Sequence, residues 1–374
     1  MRNSSFIPLL PVFQIVSCAA KMNQIYEQLK GTETMDYRVL GTTGMKVSEL
    51  CLGVMPFGGD VDKAAATKIF SRSRDAGINF FDCANVYGHG RAEELLGELI
   101  QECRNEVVIT SKAYFPMGAD PNAQGSSRFH LRTAVHESLR RLKTDRIDIY
   151  FLHRFDDATD LTDTLRTLEQ LVQQGKILYT AASNFAAWQI TKALGISALK
   201  NWSQFACIQP MYNLAKRQAE VEILPMASAE KLGVITYSPL GGGLFSGKYG
   251  VGKKPGKGRL VDNKMYQTRY ADIQNYQIAD NFARFAAENG HEPSTLAIAW
   301  VGSHHAVTAP IIGVKNLNQL EAALAATEID MTPEFRSEIS SLSPAPAPAT
   351  DRNEEGSKYT YGGALGTQPS GSQK

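Results

Sequence analysis

Short apolar segments alternate with longer amphipathic segments through the middle of the chain. The short segments, such as NFFDC, VVITSK and IDIYFLH, are almost continuously hydrophobic, which is typical of strands in a covered parallel sheet. The longer segments place apolar residues three or four positions apart, as in a helix with one buried face. In FHLRTAVHESLRRL, for example, Leu131, Val135 and Leu142 share one face. The alternation predicts repeated strand–helix units.

A β-hairpin is predicted before the repeated units and an extra helix after them. The hairpin joins YRVL to KVSEL, and the helix begins at Thr332 with Pro333 in its first turn. Eight units over about 300 residues favour an α/β fold of the closed (β/α)8 TIM barrel type over an open doubly wound sheet, and no G-x-G-x-x-G follows the first strand. The predicted barrel strands are LCLG at 50–53, NFFDC at 79–83, VVITSK at 107–112, IDIYFLH at 147–153, ILYTAAS at 177–183, FACIQ at 205–209, VITYS at 234–238 and APIIG at 309–313.

The two ends of the chain differ from the repeated units. Residues 6–20, FIPLLPVFQIVSCAA, are apolar but shorter than the roughly 20 residues that a membrane-spanning helix needs. We interpret residues 1–34 as an extension outside the fold or an early start, with a secretory signal as the alternative. Residues 344–374 are rich in Pro, Gly and Ser, which predicts a disordered tail. The barrel is therefore predicted to span residues 35–343.

Composition narrows the class of protein. Hydrophobic residues make up 43% of the chain and charged residues 21%, as in proteins that form a core. Because the formal net charge is only +1, neither nucleic acid nor a membrane is predicted as a partner. The five cysteines form no C-x-x-C pair. They favour free thiols in a reducing compartment, and therefore a cytoplasmic protein without a metal site.

Polar side chains stand at the C-terminal ends of the predicted strands, where barrel enzymes carry their chemistry. Asp82 ends the second barrel strand with Tyr87 just beyond it, Lys112 ends the third strand and His153 ends the fourth. Singly, each has a structural alternative: a turn residue, a packing residue, a buried histidine, or an ion pair between Asp82 and Lys112. Together, four proton-transferring groups on neighbouring strands favour catalysis.

NFFDCANVYG, VVITSK and IDIYFLH, in this order and spacing, resemble the aldo-keto reductase superfamily. IQPMYN, YSPLGGGLFSGKY and IIGVKNLNQLE continue the resemblance, which extends from about Tyr37 to Ile329. The long YSPLGGGLFSGKY form is most similar to the bacterial reductases and potassium-channel β-subunits of that superfamily. The resemblance implies that a small carbonyl compound, an aldehyde or a ketone, is reduced to an alcohol by hydride from a nicotinamide cofactor.

The resemblance also implies a role for each catalytic candidate. Tyr87 would be the general acid, and because a phenol with a pKa of about 10 is a poor donor at neutral pH, the Lys112 ammonium is expected to lower that pKa. Asp82 would keep Lys112 charged and oriented. His153 would donate a hydrogen bond to the carbonyl oxygen of the substrate.

The cofactor contacts are implied in the same way. The nicotinamide carboxamide would be bound by Ser183, Asn184 and Gln209, and its ring would stack on Tyr237. Barrels commonly bind phosphate after the seventh and eighth strands, where this chain has SPLGGG and GVKN. The contacts expected there are Ser238, Pro239, Leu240, Gly242, Lys248 and Gly313.

The adenosine end of the cofactor is expected to lie beside the last strand. Lys315 would contact the 2′-phosphate, which favours NADPH over NADH, and a residue within 253–259 is the alternative contact. Gln319 matches a further contact of the superfamily. Ala323 departs from the superfamily, because many members have asparagine at this place for adenine.

Two other functions compete with the reductase. One is a nicotinamide-binding regulatory subunit resembling the channel β-subunits, which also keep the four residues; robust turnover of simple aldehydes would favour the enzyme. The other is a structural barrel without a ligand. Residues 113–127, 154–160 and 249–277 are expected to line or cover the substrate pocket, with Phe115, Phe155 and Tyr249 forming an apolar wall.

Overall fold

The computed structural model describes residues 35–253 and 255–349. The predicted extension at 1–34 and most of the predicted tail, 350–374, lie outside the described residues, and residues 344–349 form neither helix nor strand. The described residues form ten strands: β1 (Tyr37–Val39), β2 (Lys46–Ser48), β3 (Cys51–Gly53), β4 (Phe80–Asp82), β5 (Val108–Ala113), β6 (Ile147–Leu152), β7 (Ile177–Ser183), β8 (Phe205–Gln209), β9 (Gly233–Thr236) and β10 (Ala309–Ile312).

Strands β3 to β10 close into a parallel barrel, with β10 paired to both β9 and β3. The predicted (β/α)8 barrel is therefore confirmed, and β7 and β8 have the predicted bounds. The helices around it are α1 (Lys63–Asp75), α2 (Arg91–Leu99), α3 (Arg128–Leu142), α4 (Leu161–Gln173), α5 (Ala187–Lys200), α6 (Ile223–Ala229), α7 (Arg259–Asp262), α8 (Lys264–Arg269), α9 (Ile273–Glu288), α10 (Pro293–Gly302), α11 (Leu317–Leu324) and α12 (Pro333–Ser341).

The barrel has an inner and an outer apolar core. Inside the barrel, alternate strand residues such as Phe80, Ile149 and Ile235 pack together, and outside it the opposite faces of the strands pack against the helices. Burying one large apolar side chain stabilises a fold by about 1.5–3 kcal/mol, so the two cores supply the main favourable contribution to folding. Among the described residues, no helix combines the length and the apolar character needed to cross a membrane.

The hairpin of β1 and β2 covers the N-terminal end of the barrel. Its residues Leu40 and Val47 are fully buried in the inner core. Gly41 has a φ of 54°, and a Cβ atom at this position would lie 2.7 Å from the backbone nitrogen of Gly233 and 2.8 Å from the carbonyl oxygen of Ala206. Only glycine therefore lets the hairpin turn sit against the beginnings of β8 and β9.

The extra helix α12 begins as the sequence predicts. The Thr332 side chain accepts a hydrogen bond from the backbone of Phe335, which caps the first turn of the helix. Trp300 of α10 stacks on Tyr212 with ring centroids 5.1 Å apart, and the Arg336 guanidinium of α12 lies 4.7 Å from the Trp300 ring. This stack fastens α12 to the barrel.

Strand β9 ends earlier than predicted. We expected VITYS, 234–238, to form the strand, but it ends at Thr236, so Tyr237 and Ser238 lie beyond it. Ser238 adopts a φ of 64°, a left-handed backbone conformation that cannot continue a strand. The chain therefore turns at Ser238 into the glycine-rich segment that follows.

Candidate active site

Asp82 and Lys112 form a buried ion pair at the C-terminal end of β4 and β5. The Lys112 Nζ atom lies 2.6 Å from Asp82 Oδ1 and 2.7 Å from Oδ2. It also donates to the Cys83 carbonyl oxygen at 2.7 Å. The side chains are only 0% and 4% exposed. An ammonium group has three donors, so Lys112 is held in one position by a complete set of acceptors.

The Asp82 carboxylate accepts two further hydrogen bonds. Both Thr110 Oγ1, from β5, and Gln209 Nε2, from β8 on another side of the barrel, donate to Asp82 Oδ1 at 2.8 Å. Gln209 is one of the residues predicted to bind a carboxamide, and its amide group is engaged with Asp82 here. The three donors keep the carboxylate satisfied although it is buried.

Tyr87 and His153 lie beside this ion pair. The Tyr87 ring centroid is 5.2 Å from Lys112 Nζ and 6.0 Å from the His153 ring, which meets it edge-on at 83°. Tyr87 begins a short 3₁₀ turn, Tyr87–Gly90, in which Gly88, His89 and Gly90 have positive φ. The structure thus brings all four predicted catalytic residues together, on three neighbouring strand ends.

The pKa of Tyr87 contradicts our expectation. We predicted that Lys112 would lower it, but burial raises the pKa of Tyr87 well above its usual value, and the negative charge of Asp82 raises it further. The physical reason is that burial of the phenol and the negative charge of Asp82 together outweigh the stabilisation that the nearby Lys112 ammonium gives to the phenolate. Tyr87 is therefore a protonated phenol at neutral pH.

His153 is a neutral imidazole. Burial is the main cause that lowers its pKa to about 3, and the Lys112 charge lowers it further. Its Nδ1 atom is buried without a hydrogen-bond partner among the described residues. The ring of Phe115 meets the His153 ring edge-on, with centroids 4.9 Å apart. The histidine is thus positioned by packing and not by an ion pair.

Three further predicted residues form a hydrogen-bonded chain next to His153. Asn184 follows β7 with a φ of 57°, and its Nδ2 atom donates to the His153 carbonyl oxygen at 2.9 Å. The Tyr237 hydroxyl donates to Asn184 Oδ1 at 2.8 Å, and Ser183 Oγ donates to the Gln209 carbonyl oxygen at 2.9 Å. These bonds connect the ends of β6, β7, β8 and β9.

The segment after β9 is a glycine-rich turn that begins with Ser238, Pro239 and Leu240. Gly241, Gly242 and Gly243 all have positive φ, and a Cβ atom on Gly242 would lie 2.6 Å from the Tyr266 ring. Lys248 lies beside this turn, because its Nζ atom would be 3.9 Å from a Cβ atom on Gly243. The N–H groups of Gly241 and Gly243 are bonded within the turn, to the carbonyl oxygens of Ser238 and Leu240. The Lys248 ammonium is therefore the group beside this turn that suits an anion.

The segment after β10 carries a second, exposed ion pair. Lys315 Nζ lies 2.6 Å from Oδ2 of Asp60, a residue of the loop between β3 and α1. Gln319 Oε1 accepts a hydrogen bond from the Lys315 backbone at 2.8 Å. Ala323, the position that departs from the superfamily, is buried in the outer core.

The predicted apolar wall is only partly correct. Phe115 lies against His153, whereas Phe155 packs against Phe185 with ring centroids 5.2 Å apart. Tyr249 is 2% exposed and belongs to the outer core, so it is not a free wall of a pocket. Burial of that ring below the loop explains the difference, since aromatic loop residues often fasten a loop to its barrel.

A second buried ion pair, which the sequence pattern did not predict, supports the Tyr87 turn. Glu93 of α2 is fully buried and accepts from Arg141 Nε at 2.6 Å and from Ser111 Oγ at 2.5 Å. Ser111 precedes Lys112 in β5, and α2 follows the Tyr87 turn. Glu93 therefore connects the segment that carries Tyr87 to the strand that carries Lys112.

Asn85 and Asp60 were missed as well. Asn85 lies between Asp82 and Tyr87, and both polar atoms of its side chain are buried without a partner in the part of the chain that the structure describes. Its place within NFFDCANVYG was the available signal. The sequence carried no signal for Asp60, because its contact with Lys315 joins two parts of the chain that are far apart in sequence.

Comparisons with known proteins define the class as an oxidoreductase. The uncharacterized oxidoreductase YrpG of Bacillus subtilis (strain 168) is 35% identical over 331 residues, 84% of this chain and 98% of the relative. The versiconal hemiacetal acetate reductase of Aspergillus parasiticus is 28% identical over 80% of this chain and 94% of its own. The chain belongs to the aldo/keto reductase family, whose model matches residues 49–344.

Another similar protein is named as a channel subunit and not as an enzyme. A probable voltage-gated potassium channel subunit beta of Oryza sativa subsp. japonica is 34% identical over 322 residues. The match covers 82% of this chain and 96% of the relative. The similarity therefore extends to enzymes and to a channel subunit, as the YSPLGGGLFSGKY segment suggests.

Proposed function

We propose that the protein is an NADPH-dependent reductase that converts aldehydes or ketones to alcohols. The observation that supports the proposal most strongly is the cluster of Tyr87, Lys112, Asp82 and His153 at the C-terminal end of the barrel. A structural ion pair would need neither the tyrosine nor the neutral histidine beside it. Reduction of a carbonyl needs a proton donor and a hydrogen-bond donor at the carbonyl oxygen, and these two residues can supply both.

The proton chemistry follows from the surroundings of each group. Tyr87 keeps its proton at neutral pH, because burial raises its pKa, and it can release that proton only to a strong base such as an alkoxide forming at the substrate oxygen. Lys112, fixed by Asp82, then stabilises the tyrosinate that remains. His153, as a neutral ring with one N–H, donates to the same oxygen.

The cofactor site has features that fit a nicotinamide dinucleotide. When bound, the reduced nicotinamide supplies the hydride that the carbonyl carbon accepts. Gly313 supports the fit: its φ is not positive, and no described atom lies within 4 Å of the place where a Cβ atom would stand. The fold itself does not need glycine there, whereas a close ligand would. Ser183, Asn184, Gln209 and Tyr237 would hold the nicotinamide, and Lys248 and Lys315 the phosphates.

Replacement of Tyr87 by phenylalanine tests the proposal. We expect Tyr87→Phe to lower kcat by about 10²–10⁴-fold and to leave the Kd of NADPH nearly unchanged, because the hydroxyl acts on the substrate oxygen. The readout is loss of NADPH absorbance with a panel of aldehydes, ketones and phosphorylated sugars, together with cofactor titration by fluorescence. Tyr37→Phe, on the exposed hairpin strand β1 at the opposite end of the barrel, is the matched control and should keep wild-type kcat. Near-wild-type turnover by pure Tyr87→Phe protein would refute the assignment.

A regulatory subunit is the second candidate, and the 34% identity to a probable channel subunit beta supports it. In that case the same site would bind the dinucleotide without rapid turnover. Turnover of several simple aldehydes at rates typical of enzymes favours the reductase, whereas tight dinucleotide binding without turnover favours the subunit. The cytoplasmic location stays a prediction; it is supported by Cys51, Cys83, Cys103 and Cys207, the free cysteines among the described residues.

A further inference from the structure

We infer that Asp60 sets the dinucleotide preference of this protein by competing with the cofactor 2′-phosphate for Lys315. The inference rests on the proposed function, since it concerns the same cofactor. It assigns a role to a residue outside the motifs of the family resemblance. Its basis is the ion pair in which Lys315 Nζ lies 2.6 Å from Asp60 Oδ2.

The pair joins two loops at the C-terminal end of the barrel. Asp60 belongs to the loop between β3 and α1, and Lys315 belongs to the turn between β10 and α11. Because β10 and β3 are hydrogen-bonded neighbours, their loops leave the barrel side by side. The lysine that would bind the 2′-phosphate is therefore already occupied by a carboxylate from the neighbouring loop.

A second cation lies near the same carboxylate. The hydrogen bond from Lys315 is the main cause that lowers the pKa of Asp60, and the charge of Arg259, from the segment after β9, lowers it further. Arg259 also stacks on the Tyr266 ring, with its guanidinium carbon 5.7 Å from the ring centroid. Asp60 is thus an anion between two cations from different loops, which is the environment that a phosphate would occupy.

The exposure of the pair makes it exchangeable. The Lys315 and Asp60 side chains are 42% and 61% exposed, so their mutual attraction is weak and the pair can open at small cost. A 2′-phosphate carries more charge than a carboxylate and can take the ammonium. The Asp60 carboxylate nevertheless remains nearby and repels the phosphate. NADH has a ribose hydroxyl in place of the 2′-phosphate. This hydroxyl can lie beside the Asp60 carboxylate or donate a hydrogen bond to it.

The test is dinucleotide binding to the Asp60→Asn variant, measured by fluorescence quenching without any carbonyl substrate. We expect Asp60→Asn to tighten NADPH by about two- to fivefold, the range for a partly exposed ion pair, and not to tighten NADH. Asp163→Asn is the matched control. Asp163 pairs with Arg128 at 3.0 Å, the two side chains are 61% and 41% exposed, respectively, and removal of the Asp163 charge should change neither affinity.

The Lys315→Ala background tests whether Asp60 acts through Lys315. Because Asp60 is inferred to act through Lys315, the gain in NADPH affinity should shrink in the double variant Asp60→Asn/Lys315→Ala. An equal gain in both backgrounds would overturn the inference. So would unchanged or weaker NADPH binding by Asp60→Asn, or an equal change for NADPH and NADH.

The outcomes also separate the inference from the proposed function. If the wild-type protein binds neither dinucleotide, the proposed function and the inference both fail. If it binds both dinucleotides but Asp60→Asn leaves their ratio unchanged, only the inference fails, and the reductase proposal stands on its own test at Tyr87.

Discussion

Lys112 and Lys315 each pair with an aspartate at the same end of the barrel, but their surroundings are opposite. Lys112 is fully buried and donates to both oxygens of Asp82 and to the Cys83 carbonyl. Lys315 is 42% exposed and contacts one oxygen of Asp60, which is itself 61% exposed. The same two residue types therefore make a fixed pair in one place and an exchangeable pair in the other.

The difference shows that burial determines whether an ion pair stays fixed or can exchange partners. A buried charge that loses its partner cannot be solvated, so the pair of Lys112 and Asp82 is held in place whether or not a ligand is present. An exposed ion pair is only slightly more stable than its two side chains hydrated separately. Its lysine can therefore exchange the aspartate for a ligand. Under the proposed function, chemistry that needs a fixed geometry would use the first pair, and recognition that needs exchange would use the second.

The largest effect is expected for Lys112→Met. It leaves the Asp82 carboxylate buried with only Thr110 and Gln209 as donors, which should lower the free energy of unfolding by about 3–5 kcal/mol. It should also lower kcat by about 10²–10⁴-fold, because the tyrosinate loses its cation. Urea denaturation and initial rates measure the two effects.

A double variant separates these two effects. In Lys112→Met/Asp82→Leu the buried charge is removed with its partner, so stability should largely return while activity stays lost. A single Lys112→Met variant as stable as the wild type would contradict the comparison, because it would mean that the buried pair behaves like an exposed one.

A smaller and more selective effect is expected for Lys315→Ala. The Kd of NADPH should rise by about tenfold, the lower range for a charge-assisted bond to phosphate, because Asp60 already competes for the ammonium. The affinity for NADH and the free energy of unfolding should hardly change. Lys63→Ala, which removes another exposed lysine paired to Glu98, is the control for both titrations. Equal weakening of both dinucleotides would show that Lys315 does not read the 2′-phosphate.

The last effect appears only on the acid side of the pH profile of stability, and it involves His153. Its folded pKa of about 3 lies below the unfolded value of about 6.5, so the neutral form stabilises the fold above pH 6.5. This contribution is lost between about pH 6.5 and 3, by at most about 1.4 kcal/mol per pH unit. His153→Gln should flatten that part of the stability curve, unlike His136→Gln on the exposed face of α3. A histidine step in kcat/KM between pH 5 and 8 that disappears in His153→Gln would contradict a neutral His153.

The sequence predicts the barrel well because its strands are short, continuous apolar runs with polar residues at their ends. Asp82, Lys112, Tyr87 and His153 follow from strand order, since parallel strand ends meet at one edge. The β9 boundary was wrong because a left-handed φ at Ser238 leaves no mark in an apolar pattern. The direction of the Tyr87 pKa was wrong because it depends on burial and on the neutralising carboxylate, both of which are three-dimensional properties.

The hairpin at the other end of the barrel has a consequence for the order of events. Leu40, Val47 and the turn at Gly41 seal the N-terminal end, so molecules reach Asp82 and Lys112 from the C-terminal end. Two molecules that enter through the same opening bind in a fixed order: the one that lies deeper binds first and is released last. The closed N-terminal end thus imposes an order on binding and release, and removing the hairpin would expose the packed inner core without opening a second route to the site.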